Sequence, residues 1–331
     1  MTILVADKFE KAGIDGLRGL GLNVINQPDA GAGNLAGAIV EAKPAILVIR
    51  SSKTPASAID AGAGGGKGTG VLKAIIRAGA GYDNIDCAAA SARGVAVCNC
   101  PGTNAAAVAE LVLGLLLTLD RRIVEQTLDL RAGKWNKKEY SKARGIKGQV
   151  LGVIGAGGIG REVIHRAKAF GMTCIVHSLN MTRERAADLE VEFGGSTREQ
   201  MLAMLPRCDA VSIMVAANAE SERMCDGPFF DAMKPGAAFI NTARGSVVCE
   251  DALAAAVKSK GLRAAADVFA GEPAGATSVA DWKTPLVDLP GFIGTHHVGA
   301  STDQAQNAVA EEVVRIVKVF QETGRWENRV N

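Results

Sequence analysis

The segment Val150 to Gly160, VLGVIGAGGIG, constrains the fold of this chain more than any other stretch. Its apolar first half is long enough for a buried strand, and residues 161–170 alternate apolar and polar side chains at helical spacing. A strand, a tight glycine turn and a helix in this order predict a dinucleotide-binding βαβ unit. In such a unit Gly155 permits the turn, Gly157 lets backbone N–H groups approach a pyrophosphate, and Gly160 lets the helix pack closely on the strand.

The helix that follows the turn supplies the second half of the predicted phosphate site. It starts at Gly158 and Ile159, where backbone N–H groups and the positive end of the helix dipole face the phosphates. Three glycines alone are a weak signal in a chain with 39 glycines, so the flanking strand and helix decide the prediction. We expect NAD or NADP as the cofactor.

Composition and charge exclude other classes of function. The 331 residues have room for about two domains, and 48% hydrophobic with 22% charged residues is ordinary for a globular protein. A net charge of +2 without a basic cluster predicts no nucleic-acid partner. No apolar run reaches membrane-spanning length and the N-terminus starts as a strand, so we expect neither a membrane segment nor a signal peptide.

Seven cysteines are scattered along the chain without a CxxC pair, several of them inside apolar runs. That usage predicts reduced thiols and a cytoplasmic location. Cys98 and Cys100 lack histidines at ligand spacing, and the adjacent His296 and His297 lack a carboxylate or cysteine at such spacing. We therefore predict no metal site.

Short apolar runs alternate with segments that can hold helices, which predicts an α/β chain with parallel sheets. A helix over 303–321 has the spacing to pack back onto the first domain. The predicted strands cover 3–6, 22–25, 45–49, 73–76 and 95–99 in a first run, then the run from Val150, 173–177, 209–215, 237–242, 262–268 and 292–294 in a second.

Pro101-Gly102 interrupts the chain between the two runs, and Thr103 or Asn104 can cap a long apolar helix predicted over 105–119. The predicted architecture is two doubly wound parallel-sheet domains, with a Rossmann nucleotide-binding domain inserted in a flavodoxin-like substrate domain. Residues 1–100 and 297–331 form the predicted substrate-binding domain, and residues 101–296 form the predicted NAD(P)-binding domain.

The stretch 61–70, AGAGGGKGTG, is too rich in glycine for a helix interior and predicts a flexible surface loop. A phosphate-binding role for Lys67 stays open, although the stretch lacks the GK[ST] ending of a P-loop.

Three polar residues follow strands of the second run, at the edge of an open α/β sheet where ligands bind. They are Arg244, Glu272 and His297, one after each of the last three predicted strands. Because these strands belong to one predicted sheet, we expect the three side chains to converge beside the cofactor.

Ordered motifs along the chain resemble those of the D-isomer-specific 2-hydroxyacid dehydrogenases. After GAGGIG come NTARGSVV at 241–248, ADVFAGEP at 266–273 and HHVGAST at 296–302. The first half agrees through RSSKT at 50–54, RAGAGYDNID at 77–86, NCPGTNAAAVAE at 99–110 and Trp135. The sequence at 77–86 is most similar to the phosphoglycerate branch of the family. The chain resembles a short form of that branch, without a C-terminal regulatory domain.

The resemblance implies a reaction that interconverts a 2-keto acid and a D-2-hydroxy acid. Arg244 would hold the substrate carboxylate and polarise the carbonyl, because a guanidinium fork matches a carboxylate. His297 would donate the proton, since histidines titrate near neutrality, and Glu272 would hold the protonated imidazole.

The same resemblance implies further contacts. Asp267 would bind the nicotinamide amide, and the backbone N–H groups of Ala80 and Gly81 would bind the substrate carboxylate. The other expected contacts are Val215, Thr242, Ala243 and Gly299 with the cofactor, and Ser51 and Asn104 with the substrate.

The chain departs from the family at the adenosine end of the cofactor. Where the family has an aspartate about 20 residues beyond the turn, this chain has Ser178. No carboxylate is there to repel a 2'-phosphate, and Arg183 and Arg185 follow nearby, so NADP stays as open as NAD. A second departure, Met214 and Ala216 in place of the usual histidine and proline, predicts looser contacts to the adenine or ribose.

The expected substrate pair is D-3-phosphoglycerate and 3-phosphohydroxypyruvate, and the expected assembly is a homodimer. Arg50, Lys53 and Arg77 follow first-domain strands and could bind the phosphate. One alternative is glyoxylate or hydroxypyruvate, with the same chemistry. An alternative of another class is an NAD(H)-sensing protein similar to the transcriptional corepressors of this fold, which carry partner-docking extensions that this chain is expected to lack.

Overall fold

The computed structural model describes residues 1–64, 70–273 and 281–331. The chain divides into two compact units, of which the first contains Met1–Asn104 and Ser301–Asn331 and the second contains Ala105–Glu272 and Asp281–Ala300. These boundaries lie four residues after the predicted ones, so His297 falls in the second unit. The roles predicted for the two domains remain predictions.

The first unit is built on a five-stranded sheet in the order β2-β1-β3-β4-β5. All neighbouring strands are parallel, and the order is that of flavodoxin-like folds. The five predicted strands are confirmed, each within a residue or two. Their bounds are β1 Thr2–Val5, β2 Asn23–Asn26, β3 Ile46–Ile49, β4 Ala74–Arg77 and β5 Ala96–Cys98.

The second unit is built on a seven-stranded parallel sheet in the order β12-β11-β10-β9-β6-β7-β8. Its strand order reverses between β6 and β9, which is the position where dinucleotides bind in Rossmann folds. The predicted fold class is therefore confirmed. The bounds are β6 Val150–Ile154, β7 Thr173–His177, β8 Glu192–Phe193, β9 Ala210–Ile213, β10 Ala238–Asn241, β11 Arg263–Ala266 and β12 Ile293–Gly294.

Helices cover both faces of each sheet in the doubly wound manner, and the apolar core lies in four clusters between helices and strands. The bounds of the α-helices are α1 Lys11–Gly19, α2 Ala30–Gly33, α3 Leu35–Ala42, α4 Ala56–Ala63, α5 Cys87–Ala92, α6 Ala105–Arg121, α7 Ile123–Arg131, α8 Lys137–Tyr140, α9 Gly158–Ala169, α10 Arg183–Asp188, α11 Arg198–Met204, α12 Gly227–Ala232, α13 Glu250–Lys260 and α14 Asp303–Thr323.

Both long helices lie where the apolar spacing predicts them. Within the second unit α6 packs on α9 and against β10 and β11, and within the first unit α14 packs on α1. Of the two predicted N-caps of α6, Asn104 is wrong, because its Oδ1 is buried without a hydrogen-bond partner. The Thr103 Oγ1 donates to Cys100 O at 3.0 Å, and its capping role stays a prediction. Of the described helices, none combines the length and the apolar character needed to cross a membrane.

The loop predicted over 61–70 is wrong at its start. Residues 61–63 form the last turn of α4. A glycine is needed at position 62 because the helix packs so closely against Leu72 and Ile39 that a Cβ there would lie 2.9 Å from Leu72. Gly64 ends the helix in the left-handed region, at φ 77°. The proposed role of Lys67 concerns a residue outside the described ranges.

Candidate active site and nucleotide site

Two glycines of the turn after β6 are required by the fold itself. Gly155 has φ 103°, and a Cβ there would lie 2.6 Å from Met214 O. A Cβ at Gly160 would lie 2.0 Å from Gly155 O. The turn therefore depends on glycine both for its backbone conformation and for the close approach of α9 to β6.

Gly157 is different, because nothing in the protein around it requires a glycine. Its φ is −71°, and a Cβ there would meet no protein atom within 4 Å. It precedes Gly158 and Ile159 at the start of α9, whose N-terminus has no side-chain cap. Open space beside uncapped N–H groups suits the pyrophosphate of a dinucleotide, so these residues fit the predicted cofactor.

The strands beside β6 bring further predicted cofactor residues to the same edge of the sheet. The Met214 N–H donates to Ile154 O at 2.7 Å, which places Val215 next to the glycine turn. Thr242 follows β10, and its Oγ1 lies 3.7 Å from Met214 Sδ. Thr242 and the adjacent Ala243 are buried.

Ser178 lies at the end of β7, the position expected for the ribose. It is half-buried, and its N–H donates to Gly195 O at 3.2 Å. The guanidinium of Arg183 lies 5.0 Å above the Phe193 ring, and Arg185 donates to Asn180 O at 2.5 Å. Two cations thus accompany a serine where the family has a carboxylate.

Arg244 follows β10 in a loop that the buried Asn241 holds. The Asn241 Oδ1 accepts the Ala243 N–H at 3.0 Å, and its Nδ2 donates to Arg244 O at 3.0 Å. A Cβ at Gly245 would lie 1.9 Å from the Phe269 carbonyl carbon, so this glycine lets the loop after β10 pack on the loop after β11. Arg244 itself donates from Nη1 to Ala243 O at 2.8 Å.

His297 and Glu272 form a hydrogen-bonded pair at the ends of β12 and β11. His297 Nδ1 contacts Glu272 Oε1, while Glu272 Oε2 accepts the Phe269 N–H at 3.0 Å. Burial raises the pKa of Glu272, but the hydrogen bond and charge of His297, the Phe269 N–H and the charge of Arg244 together lower it below its usual value. Glu272 is therefore ionised near neutrality, and His297 Nε2 is the ring nitrogen left for a substrate, on a side chain that is 47% exposed.

Asp267 organises the loop that carries His297, a role that the sequence does not reveal. Its Oδ1 accepts from Thr295 Oγ1 at 2.6 Å and from the Val298 N–H at 2.9 Å, and its Oδ2 accepts from the Gly299 N–H at 2.9 Å. Its carbonyl accepts the His297 N–H at 2.7 Å, where His297 has φ 52°. One buried aspartate thus holds a left-handed histidine in place, and a Cβ at Gly299 would lie 3.0 Å from that carboxylate.

In the first unit, Asp7 has a similar role for the loop after β3. Its Oδ2 accepts the N–H groups of Arg50, Ser51 and Ser52 at 2.6, 2.9 and 3.0 Å. Arg50 Nη1 donates to Gln306 Oε1 at 2.8 Å. The sequence predicts Arg50 and Ser51 as substrate residues and misses Asp7, which follows β1 without any recognisable motif.

The loop after β4 lies beside the loop after β3 in the same sheet edge. Arg77 packs over Gly79, which has φ 143° and leaves the space that the guanidinium occupies. Asn99 Nδ2 donates to Ala80 O at 2.6 Å. Within the described ranges, the N–H groups of Ala80 and Gly81 donate to no protein acceptor, which suits the predicted carboxylate contact.

Comparisons with known proteins agree with this geometry. Residues 113–299 match the family described as D-isomer specific 2-hydroxyacid dehydrogenase, NAD binding domain. Over 252 residues the chain is 38% identical to the D-3-phosphoglycerate dehydrogenase of Methanocaldococcus jannaschii, covering 75% of this chain and 46% of that protein. Over 281 residues it is 37% identical to the hydroxypyruvate reductase of Thermotoga maritima, covering 84% of this chain and 85% of that protein.

A solved structure has the same fold over nearly the whole chain. It is the NADPH-dependent glyoxylate/hydroxypyruvate reductase of Sinorhizobium meliloti in complex with NADP and malonate, with 25% identity and a TM-score of 0.81. The match covers 99% of this chain and 96% of that one. The chain spans about half the length of the curated phosphoglycerate dehydrogenases that it matches.

Proposed function

Because the chain belongs to the D-isomer specific 2-hydroxyacid dehydrogenase family, we propose that it transfers hydride between NAD or NADP and a small D-2-hydroxy acid. The hydrogen-bonded pair of His297 and Glu272, beside Arg244 at neighbouring strand ends, carries this proposal. The test is an assay of the purified protein with NADH and NADPH against a panel of 2-keto acids that includes 3-phosphohydroxypyruvate.

The residues of the pair divide the chemistry between them. When bound, the nicotinamide supplies or accepts the hydride at the C2 carbon. In the reductive direction His297 Nε2 gives its proton to the C2 oxygen, and the ionised Glu272 stabilises the imidazolium before that transfer. Arg244 holds the substrate carboxylate through its planar fork. Asp267 Oδ2 accepts one protein hydrogen bond and retains acceptor capacity for the nicotinamide amide.

The replacement Glu272→Gln tests the pairing through the pH profile. Without its anionic partner the protonated ring of His297 is less stable, so the decline of reductase activity with rising pH should begin at a lower pH than in the wild type. The measurement is kcat/KM against pH for reduction of the best 2-keto acid. A profile that does not move would remove Glu272 from the acid–base pair.

For the substrate, we propose D-3-phosphoglycerate and 3-phosphohydroxypyruvate. Arg50, Lys53 and Arg77 follow two neighbouring strands of the first sheet, and a phosphate dianion needs such cationic donors. Relatives named as phosphoglycerate dehydrogenase and as hydroxypyruvate reductase both match well, so glyoxylate or hydroxypyruvate is the second candidate.

Cofactor choice is tested at Ser178. Ser178→Asp should supply an acceptor for the ribose hydroxyls and repel a 2'-phosphate, so the ratio of kcat/KM with NADH to kcat/KM with NADPH should rise about tenfold or more. Ser178→Asn is the matched control, because it has a similar shape without the charge. A ratio that falls or stays constant in the aspartate variant would show that Ser178 does not lie at the ribose.

For the assembly, we propose a homodimer through the segment 123–135. Helix α7 contains no buried residue. Five large apolar residues of this short segment are exposed, with 43% to 81% of their surface accessible to solvent. Apolar surface concentrated in this way is typical of a contact between proteins. The five side chains are those of Ile123, Val124, Leu128, Leu130 and Trp135.

The double replacement of Leu128 and Trp135 by glutamate should convert the dimer to a monomer, because two charges would be buried without partners. Sedimentation velocity measures the change. Val40→Glu, at an exposed apolar position on α3, is the control and should leave the dimer intact. A wild-type monomer, or a double variant that stays dimeric, would refute the interface.

A cytoplasmic location also remains a proposal. It is supported by the seven cysteines, all free thiols and five of them buried.

A further inference from the structure

Two adjoining cavities lie in the second unit, at the amino ends of its strands. Their volumes are about 270 and 260 Å³. Gly236 comes just before β10, and Arg263 is the first residue of β11. Gly155, Arg244 and Asp267 all follow their strands instead. The cavities therefore open at the opposite edge of the sheet from the candidate active site.

Cations dominate the lining of the larger cavity. Five cationic side chains face two carboxylates, those of Asp120 and Glu139. Glu139 accepts from both Arg122 and Lys142, so Lys142 has no carboxylate of its own, whereas Arg122 also lies 3.6 Å from Glu125. The cationic residues are Arg121, Arg122, Lys142, Arg144 and Arg263.

Two more of these cations lack full neutralisation. Arg144 binds Asp209 at 3.1 Å, but Lys234 binds the same carboxylate oxygen at 2.6 Å. Among the described residues, no carboxylate oxygen lies within 4.0 Å of the Arg121 guanidinium. The cavity therefore carries a surplus of positive charge that an anion would balance.

Two charged residues that line the cavity, Arg263 and Asp120, are wholly or partly buried without a full set of hydrogen-bond partners. Arg263 is half-buried, and its Nε donates to Gly236 O at 3.3 Å. Burial lowers the pKa of this guanidinium, and the like charge of Arg144 adds to that effect while Asp120 opposes it. Asp120 is only 5% exposed; its Oδ2 accepts the Gly145 N–H at 3.1 Å, whereas Oδ1 is buried without a donor among the described residues.

We propose that this cavity binds a small phosphate monoester that carries a hydroxyl group. The arginines supply charged donors that match phosphate oxygens, and the vacant oxygen of Asp120 accepts from the hydroxyl. A volume of about 270 Å³ is just below the usual range for drug-sized ligands, about 300–1,000 Å³, and suits a ligand of this size. Because the cavity opens at the other edge of the sheet, such a ligand binds without displacing substrate or cofactor and is a candidate regulator.

Calorimetric titration of the full chain with glycerol 3-phosphate tests the proposal. Wild-type protein should bind it more tightly than methyl phosphate, which has the phosphate and no hydroxyl. Arg121→Gln and Arg144→Gln, both at exposed side chains, should each raise the Kd about tenfold, the loss expected for one charge-assisted hydrogen bond. Lys258→Gln, at an exposed cation on α13, is the control and should leave the Kd unchanged.

Three results would overturn the proposal. The first is the absence of binding to the wild type, and the second is equal binding to the wild type and to both cavity variants. The third is binding that appears only after the double glutamate replacement at Leu128 and Trp135, because the cavity would then be covered in the assembled protein. Unchanged kcat in Arg121→Gln separates this site from the candidate active site.

Discussion

Replacement of His297 by asparagine should lower kcat by about 10²- to 10⁴-fold, the usual contribution of a positioned general acid or base. Asparagine removes the proton donor at Nε2. It also tolerates the left-handed region, in which His297 lies at φ 52°, so the loop should keep its backbone conformation. The loss is therefore expected in the chemical step and not in folding.

Two measurements make this interpretation specific. Fluorescence titration with NADH or NADPH should give nearly the wild-type Kd, because the glycine turn lies apart from the imidazole. His296→Asn, at the exposed neighbouring position, should retain turnover. An asparagine variant at 297 that turns over at the wild-type rate would exclude His297 from the mechanism.

Arg50→Ala and Arg77→Ala should each weaken use of 3-phosphohydroxypyruvate by tenfold to about 100-fold in kcat/KM, while use of glyoxylate falls much less. If the proposed phosphate contacts exist, each replacement removes charged hydrogen bonds, worth about 1.5–3 kcal/mol, to a phosphate that glyoxylate lacks. The measurement is the ratio of kcat/KM for the two substrates in each variant.

Controls separate recognition from structural damage. Gln306→Ala removes the side-chain acceptor of Arg50 and leaves the cation, so its effect reports the internal hydrogen bond alone. Arg18→Ala, at an exposed cation on α1, should leave kcat/KM for both substrates unchanged. Equal losses on both substrates in the Arg50 and Arg77 variants would refute the phosphate contact and favour glyoxylate or hydroxypyruvate.

Much of the fold can be predicted from the sequence because most strands are short, nearly continuous apolar runs that end in polar residues or glycine. The edge strand β8 escapes that pattern, since Glu192–Phe193 contains two residues and one of them is charged. Helix α7 escapes it for another reason. None of its residues is buried, so its apolar side chains show no single core-facing face.

The candidate site could be predicted only where a motif marks it. Arg244, Glu272 and His297 lie in recognisable segments and are brought to neighbouring strand ends as expected. The supporting carboxylates of Asp7 and Asp267 could not be assigned their structural roles, because each acts through backbone N–H groups of a distant loop. Such bonds depend on loop conformation, which residue types and spacing do not specify.

The supporting carboxylates lie in different parts of the chain, and this has a consequence for protein engineering. Asp267 sets the backbone around His297, whereas Asp7 sets the loop that contains Arg50. Residues 50–53 and 77–81 can therefore be randomised in a library while Asp267 and Glu272, which hold His297, stay unchanged. Selection from such a library for a changed substrate preference would test the proposed substrate loops with the proposed proton-transfer residues kept constant.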